Sequence, residues 1–290
     1  MRDLSWLLRF FGISSETIAF LRSLNTRYRI CHLPKDAGGF RVIAVPPEEL
    51  MRFQRQLQRH LLRFAPISDC VHGSMRGHST KTQALMHRQA SALLSFDLKD
   101  AFTQATVAQV ADAFRFLAFD DHVSEMLAAL TTFDGSLPQG APTSNMLWNL
   151  VCRQLDERLL WVAERFDLTY TRYTDELFFS HPQTIERAKR QAIETWVEQT
   201  GFVLNCRKTR YQHVRSGALQ LTGLSIHAGL VTVTRAEIER LRALVHMATV
   251  HRLPRAYIEG EIGRIRHVYR PRLMPHRLWP VYERYRSLCV

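Results

Sequence analysis

Long apolar runs are missing from this 290-residue chain: none approaches the ~18–20 consecutive apolar residues that a membrane-spanning helix needs. The opening MRDLSWLLRFFG carries Asp3 and Arg9 around a short apolar stretch, which does not suit a secretory leader. Its Leu4, Leu7, Leu8 and Phe11 instead share one face of an amphipathic helix. A cytoplasmic protein with no membrane partner is expected. Cysteine is scarce as well. Cys31, Cys70, Cys152, Cys206 and Cys289 are odd in number, scattered, and never spaced as C-x-x-C. That argues against a zinc knuckle or a disulfide framework and leaves buried, reduced thiols. Acids are also few, 27 Asp and Glu against 39 Lys and Arg, for a formal net charge of +12. A one-signed excess of this size suits a polyanionic partner.

Several motif classes are absent too. GSMRGHSTKT has the look of a phosphate loop, but Lys81 does not follow the second glycine. There is no H-E-x-x-H, no G-x-S-x-G and no dinucleotide fingerprint. Repeats, low-complexity segments and long linkers are missing. With 46% hydrophobic residues, the chain can bury a core as one large domain or two to three associated subdomains.

What is present alternates between helical and strand patterns without regular βαβ order, which predicts an α+β fold. The first thirty residues read as helical. RICHLPKDAGGFRVIAVP then places two apolar runs around Asp36-Ala37-Gly38-Gly39, a hairpin signal. EELMRFQRQLQRHLLRF follows as a basic amphipathic helix. ALLSFDLKDAF puts Asp97 near the end of an apolar strand, and VAQVADAFRFLAF reads as a helix. SLPQGAPTSN is a loop that opens the long helix MLWNLVCRQLDERLLWVAERF. LTYTRYTDELFFS is a hairpin with its turn near Tyr173-Thr174-Asp175-Glu176. A helix over about Ile185 to Thr200 precedes strands at Phe202–Leu204, Leu219–Ile226 and Leu230–Thr234. From Arg235 onward the pattern is helical and rich in arginine.

Two acidic strand ends, at Asp97 and at Asp175-Glu176, are the sharpest chemical feature. Nucleotidyl transfer with two metals needs carboxylates converging on ions about 3.5–4 Å apart. Mg²⁺ takes hard oxygen ligands, and strand ends hold them rigidly. Each acid alone would read as an ordinary turn residue.

The residues around them resemble one family. Leu137-Pro138-Gln139-Gly140-Ala141-Pro142-Thr143-Ser144 resembles a signature of bacterial reverse transcriptases, and Asn149, Leu155 and Asp156 follow where retron-type enzymes carry Asn and Leu-Asp. TRYTDELFFS resembles the catalytic hairpin, normally Tyr-Ala-Asp-Asp, and SFDLKDAF the first catalytic strand. GFVLNCRKTR, with Asn205, Lys208, Thr209 and Arg210, and LTGLSI, Leu221 to Ile226, resemble the motifs that come next. The series keeps order and spacing from about Arg29 to Ile226. Gln83-Ala84-Leu85-Met86-His87 is similar to the retron Asn-Ala-x-x-His element with Gln for Asn, and Thr222-Gly223 to the retron Val-Thr-Gly element. GEIGRIRHVYRPRLMPHRLWPVYERY resembles a retron thumb.

The resemblance implies a right-hand polymerase, with fingers and palm over 1–234 and a helical thumb over 235–290. Asp97, Asp175 and Glu176 become catalytic carboxylates that hold two Mg²⁺, with the Leu98 carbonyl assisting and Mn²⁺ a possible substitute. Lys35, Arg41, Phe102, Gln139 and Lys208 become nucleotide-binding. Arg41 would hold the triphosphate and Phe102 would exclude a ribose 2′-OH, unless it only packs in the core. Lys208 would meet the pyrophosphate, or stand as a solvated lysine. Gln83, His87, Thr222 and Gly223 become RNA-binding; His87 as a cap and Gly223 as a bulge residue are the plainer alternatives. Arginines interleaved with aromatics beyond Arg240 fit phosphates and bases better than a solvated face, since few acids balance them.

The implied activity copies a structured noncoding RNA, both template and primer, into covalently RNA-linked single-stranded DNA. dNTPs are the substrates, an RNA–DNA hybrid the product, and a retron's antiphage effector would be a separate protein, with no nuclease, protease or membrane module on this chain. The rivals are an abortive-infection-type polymerase with untemplated synthesis and a catalytically impaired RNA-binding scaffold. Glu176 is the departure that motivates the last of these, since the family has Asp there. It admits a relaxed but active ligand sphere, a slower enzyme, or lost polymerisation.

Overall fold

A nearly continuous apolar strand, Ala92–Asp97, lies at the centre of the principal sheet in a computed structural model of the chain. Residues 2–34, 38–251, 259–260, 263, 267–269, 280 and 283 are described, apart from the side chains of 248–251. In chain order the elements begin with α1 (Leu4–Phe11), α2 (Ser15–Ser23), the hairpin β1 (Arg29–Pro34) and β2 (Phe40–Val45), and α3 (Glu48–Phe64). Then come α4 (Thr80–Met86), β3 (Ala92–Asp97), α5 (Ala101–Gln104), α6 (Val107–Phe116) and α7 (Asp121–Thr131). α8 (Ser144–Val151) and α9 (Arg153–Arg165) lead to β4 (Thr169–Tyr173) and β5 (Glu176–His181). α10 (Arg187–Gln199), β6 (Arg210–His213), β7 (Leu219–Leu221), β8 (Leu224–His227), β9 (Leu230–Val233) and α11 (Arg235–His251) complete the series.

The principal sheet runs β4-β5-β3-β6, and each neighbouring pair is antiparallel. Period-2 alternation sends successive side chains to opposite faces. Leu94, Phe96 and Phe179 therefore join the core under α3 and α6 to α10, while Leu93 and Phe178 join a second core with β7 to β9 and α11. A central strand covered on both faces reads as a near-continuous apolar run, and so ALLSF carries no polar alternation.

Four sequence expectations change. The helix expected through MLWNLVCRQLDERLLWVAERF is two helices that meet at Cys152. Phe202–Leu204 makes a single bridge, Leu204 to Leu98, and no strand. Leu219–Ile226 is not one strand: Thr222-Gly223 reverses the chain, so Leu221 pairs with Leu224. The helix begun at Val107 stops at Phe116, and Ala118 takes φ 62°. Among the described residues no single helix is long and apolar enough to cross a membrane. Most of the arginine-rich segment beyond Arg240, with Arg252, Arg255, Tyr257, Arg264, Arg266, Arg270, Arg272, Arg277 and Trp279, lies outside the described residues.

One buried charge fixes the β4–β5 turn. Arg172, on β4, is fully buried. Its Nε and Nη2 donate to the two oxygens of Asp156 at 2.8 and 2.7 Å, and its Nη1 donates to Asn149 Oδ1 and to the Thr174 carbonyl. Tyr170 Oη donates to Asp156 Oδ1, and Trp148 Nε1 donates to the same Thr174 carbonyl at 2.8 Å. Asn149 Nδ2 donates to the Gly73 carbonyl. Gly73 is glycine because a Cβ there would lie 2.6 Å from Thr174 N. The turn is thus gripped by α8, α9 and the 70–74 segment together. Removing one partner of a buried pair leaves a bare charge, so Asp156→Ala should cost about 3–5 kcal/mol of stability, read from urea unfolding. A loss under about 1 kcal/mol would place the pair with ordinary surface bridges.

Candidate active site

β3 ends on Asp97, and the register pairs it with Glu176, the first residue of β5. Leu98 N donates to the Asp175 carbonyl at 2.9 Å, so the ladder continues into the turn. Three acids distant in sequence therefore share one end of the sheet. Asp97 is buried, with Asp175 and Glu176 half-buried beside it. The segment after α10 closes over them. Asn205 N donates to the Asp97 carbonyl at 2.8 Å, Asn205 Nδ2 to its Oδ1 at 3.3 Å, and Lys208 Nζ to its Oδ2 at 2.8 Å.

The acids push one another toward protonation. Burial raises the Asp175 carboxyl above its ordinary range and the charge of Asp97 adds to this, while a backbone N–H, Lys208 and Arg41 oppose it. Burial, then Asp175 and Asp97, push Glu176 up to about 7, against Lys208 and Arg210. Such a cluster favours any added positive charge. Among the described residues, no three His, Cys, Asp or Glu side chains are gathered at liganding distance around one point. The Lys208 ammonium, largely exposed, sits on Asp97 Oδ2. The donor set itself fits a hard divalent cation: carboxylate oxygens with a mobile lysine as counter-charge.

Other expected residues fall around this cluster. Arg41, exposed on β2, is near enough to pull the Asp175 carboxyl down. The β1–β2 hairpin docks on the 138–141 loop, where Ala44 N donates to the Gln139 carbonyl at 2.7 Å. Gly140, at φ 117°, allows that approach, since a Cβ would meet Ile43 Cγ2 at 2.8 Å. Gln139 is half-buried in the same loop. Phe102, on α5, is half-buried with its ring edge-on to Trp148, whose indole holds the Thr174 carbonyl. A cavity of about 450 Å³ is lined by Asp97, Glu176 and Lys208 together with Leu221, Thr222 and Gly223. Lys35 lies outside the described residues.

Gln83 and His87 are a correction. Both were expected to contact RNA, yet both are buried. Gln83 Nε2 donates to Thr171 Oγ1, and the His87 ring nitrogens bond Thr171 Oγ1 and Ser180 Oγ at 2.7 Å each. Burial pushes His87 down to about 3, so its imidazole is neutral. Their polar atoms are spent inside the protein, with none left facing solvent. Gly223 serves a tight turn, where a bulge was the plainer alternative. Arg172, Thr171 and Ser180 were missed by sequence reasoning. A signal existed for Arg172: a charge within the aromatic strand TYTRY, matched by Asp156 on the otherwise apolar face of Leu155, Leu159 and Val162.

The family described as reverse transcriptase (RNA-dependent DNA polymerase) matches residues 33–240. The chain is 34% identical over 260 residues to the Retron Mx65 reverse transcriptase of Myxococcus xanthus, covering 81% of this chain and 60% of that one. It is 32% identical to the Retron Mx162 reverse transcriptase of the same organism, covering 83% and 57%. To the Retron Ec86 reverse transcriptase of Escherichia coli it is 31% identical, covering 85% and 78%. The chain thus spans less than two thirds of the length of the two Myxococcus relatives. Among solved structures, apo telomerase from Candida tropicalis truncated from its C-terminal domain superposes with TM-score 0.53 at 14% identity, covering 71% and 55%. Telomerase from Candida albicans in complex with a TWJ fragment of telomeric RNA gives TM-score 0.53 at 10% identity, covering 97% and 63%. At such identities the likeness concerns the fold alone, a right-hand polymerase of mixed α+β build.

The raised Glu176 carboxyl has a consequence for stability. The folded chain holds this proton more tightly than the unfolded chain, so its contribution is fully present below the ordinary 4.5 and is lost as pH rises through about 7. Glu176→Gln should therefore raise the thermal midpoint above the parent's at pH 8 in EDTA, by about 2–4 °C per kcal/mol at this chain length. The difference should vanish near pH 5. Equal midpoints at both pH values would mean that neither burial nor the neighbouring acids raise the Glu176 carboxyl.

Proposed function

This chain belongs to the reverse transcriptase family, and from that premise we propose that it is an RNA-directed DNA polymerase of the retron type. It copies a structured noncoding RNA, which supplies both template and primer, into single-stranded DNA covalently linked to that RNA. What supports this most is the pairing of Asp97 with Glu176 at the end of β3 and β5, with Asp175 in the turn between β4 and β5. Residues 1–234 form the fingers and palm and residues 235–290 the thumb. The work is done in the cytoplasm, as part of an antiphage system whose effector is a separate protein.

Asp97, Asp175 and Glu176, with the Leu98 carbonyl, would hold two Mg²⁺, and Mn²⁺ would serve in their place. Bound there, the ions lower the pKa of an attacking hydroxyl and stabilise a leaving pyrophosphate. The chain's own groups do the rest. Lys208 exchanges its bond to Asp97 for the pyrophosphate oxygens and neutralises or protonates them. Arg41 grips the triphosphate with its planar fork. Lys35, six positions before Arg41 in the chain, shares in holding the triphosphate, and Gln139 lines the nucleotide pocket. The Phe102 ring, braced by Trp148, blocks a ribose 2′-OH. Thr222 and Gly223 face the cavity that receives the RNA or the growing strand.

A catalytically impaired RNA-binding scaffold is the second reading. The observation in its favour is Glu176 itself, whose extra methylene displaces a carboxylate by about a bond length, where misplacement near 1 Å can cost about 100-fold. Primer extension on the native RNA, with Mg²⁺ and Mn²⁺ compared, separates the two. Asp97→Asn or Asp175→Asn should abolish DNA synthesis while RNA remains bound, and more than a small residual activity in either would remove that residue from the metal site. Phe102→Ala should admit ribonucleotides. An unchanged ratio of dNTP to rNTP incorporation, in a variant that still polymerises, would return Phe102 to core packing.

A further inference from the structure

The turn between β7 and β8 is built from an unusual residue for its shape. Leu221 pairs with Leu224 and the two residues between them, Thr222 and Gly223, both have positive φ, 44° and 78°. Such two-residue turns favour Asn-Gly, Asp-Gly or Gly-Gly. A β-branched side chain in the left-handed region is strained and persists only where the surroundings over-determine it. Here they do. Thr222 Oγ1 donates to Gln83 Oε1 at 3.0 Å, across 139 positions of sequence. Gln83 Nε2 donates to Thr171 Oγ1 at 3.0 Å, and Thr171 Oγ1 and Ser180 Oγ lie 2.7 Å from the two nitrogens of His87.

One direction of donors satisfies the whole chain: Thr222 hydroxyl to Gln83 carbonyl, Gln83 amide to Thr171, and, in the tautomer with the proton on Nδ1, Thr171 hydroxyl to His87 Nε2 and His87 Nδ1–H to Ser180. A neutral imidazole is required for it, which agrees with the burial of His87. Thr171 is on β4, one residue before Arg172, and Ser180 is on β5, so the chain is anchored in the two strands whose turn carries Asp175. Its far end is the turn that lines the cavity shared with Asp97, Glu176 and Lys208.

We propose that Thr222, Gln83, Thr171, His87 and Ser180 form a buried strut that sets the height of the 222–223 turn above the catalytic carboxylates, and that Thr222 and Gln83 are positioning residues for the strand end being extended. The strut rests on the polymerase reading for its catalytic meaning. Its structural half stands without it. The strut also gives a role to the two residues whose burial removes them from direct contact with RNA.

The test uses the full chain, its native structured RNA as template and primer, dNTPs and Mg²⁺. Thr222→Val keeps the side-chain shape and loses the hydroxyl. Its apparent KM for the primer end should rise, or its extension rate fall, by roughly ten- to a hundredfold, while its KM for dNTP stays at the parent's value. Thr222→Ser, which keeps the donor, should restore most of the loss. Thr222→Val combined with Gln83→Met should be no worse than Gln83→Met alone, because Gln83→Met already removes the link that Thr222→Val cuts, together with the bond to Thr171. A Thr222→Val enzyme equal to the parent would overturn the proposal. So would losses shared equally between primer and dNTP, or a double variant with fully additive loss, since these describe general destabilisation. Hydrogen exchange covers the case of a parent that extends nothing, which defeats the polymerase reading instead. Amides of 219–227 should exchange faster in both Thr222→Val and Gln83→Met, with those of 92–97 unchanged; no difference over 219–227 refutes the strut.

Discussion

Arg172 holds its charge shut away from bulk solvent, and the arrangement of the acidic end of the sheet follows from how that charge is satisfied. Asp156 takes two of its hydrogen bonds, Asn149 a third and the Thr174 carbonyl a fourth. Each partner belongs to a different part of the chain, so the guanidinium can be satisfied only when α8, α9 and the β4–β5 turn are in register. A planar fork imposes direction as well as distance, which lysine could not do. The Thr174 carbonyl is held a second time by Trp148. Asp175 follows that carbonyl directly, so its place is inherited from the Arg172 pair.

The acids at the sheet end pull the other way. Ladder pairing brings Asp97 and Glu176 together with Asp175 alongside, and burial makes their repulsion expensive. Lys208 and Arg41 relieve part of it. Both are long, exposed side chains that can leave at little cost, so the cluster stays ready to accept a stronger cation or a phosphate. Rigid anchoring of the backbone and loose neutralisation of the charge are complementary here. A site neutralised by buried, fixed partners could not exchange them.

Two polar networks therefore flank the same hairpin. The Arg172 network grips its turn from the side of α8 and α9, while the His87 network leaves β4 and β5 toward α4 and the 222–223 turn. Thr171 and Arg172 are adjacent on β4 and point to opposite faces, so a single strand serves both. Partly satisfied networks of this kind are costly and fully satisfied ones specify a unique arrangement. That is the physical reason why Gln83, His87, Asn149, Asp156, Thr171, Arg172 and Ser180 can be buried beside otherwise apolar cores.

Much of the local structure was legible in residue order. The apolar run into Asp97, the aromatic hairpin around Thr174 and Asp175, the amphipathic α3 and the Gly-Gly hairpin follow from periodicity and turn chemistry, which act over a few neighbours. The order of motifs also carried the family, and with it the acids, Arg41 and Gln139. Other features depend on partners far away in sequence. Leu219–Ile226 turns at Thr222, whose hydroxyl meets Gln83 139 positions away, and α8 and α9 part at Cys152 without a glycine or proline to announce it. Gln83 and His87 look like exposed polar contacts in one dimension because burial is a property of what packs over them. By itself the sequence determined most of the helices and strands and which acids could meet; the tertiary structure decided where Phe202–Leu204 and Leu219–Ile226 depart from strands and which polar groups are shut away from water. That choice belongs to the fold because a buried donor or acceptor is tolerable only where its partner arrives.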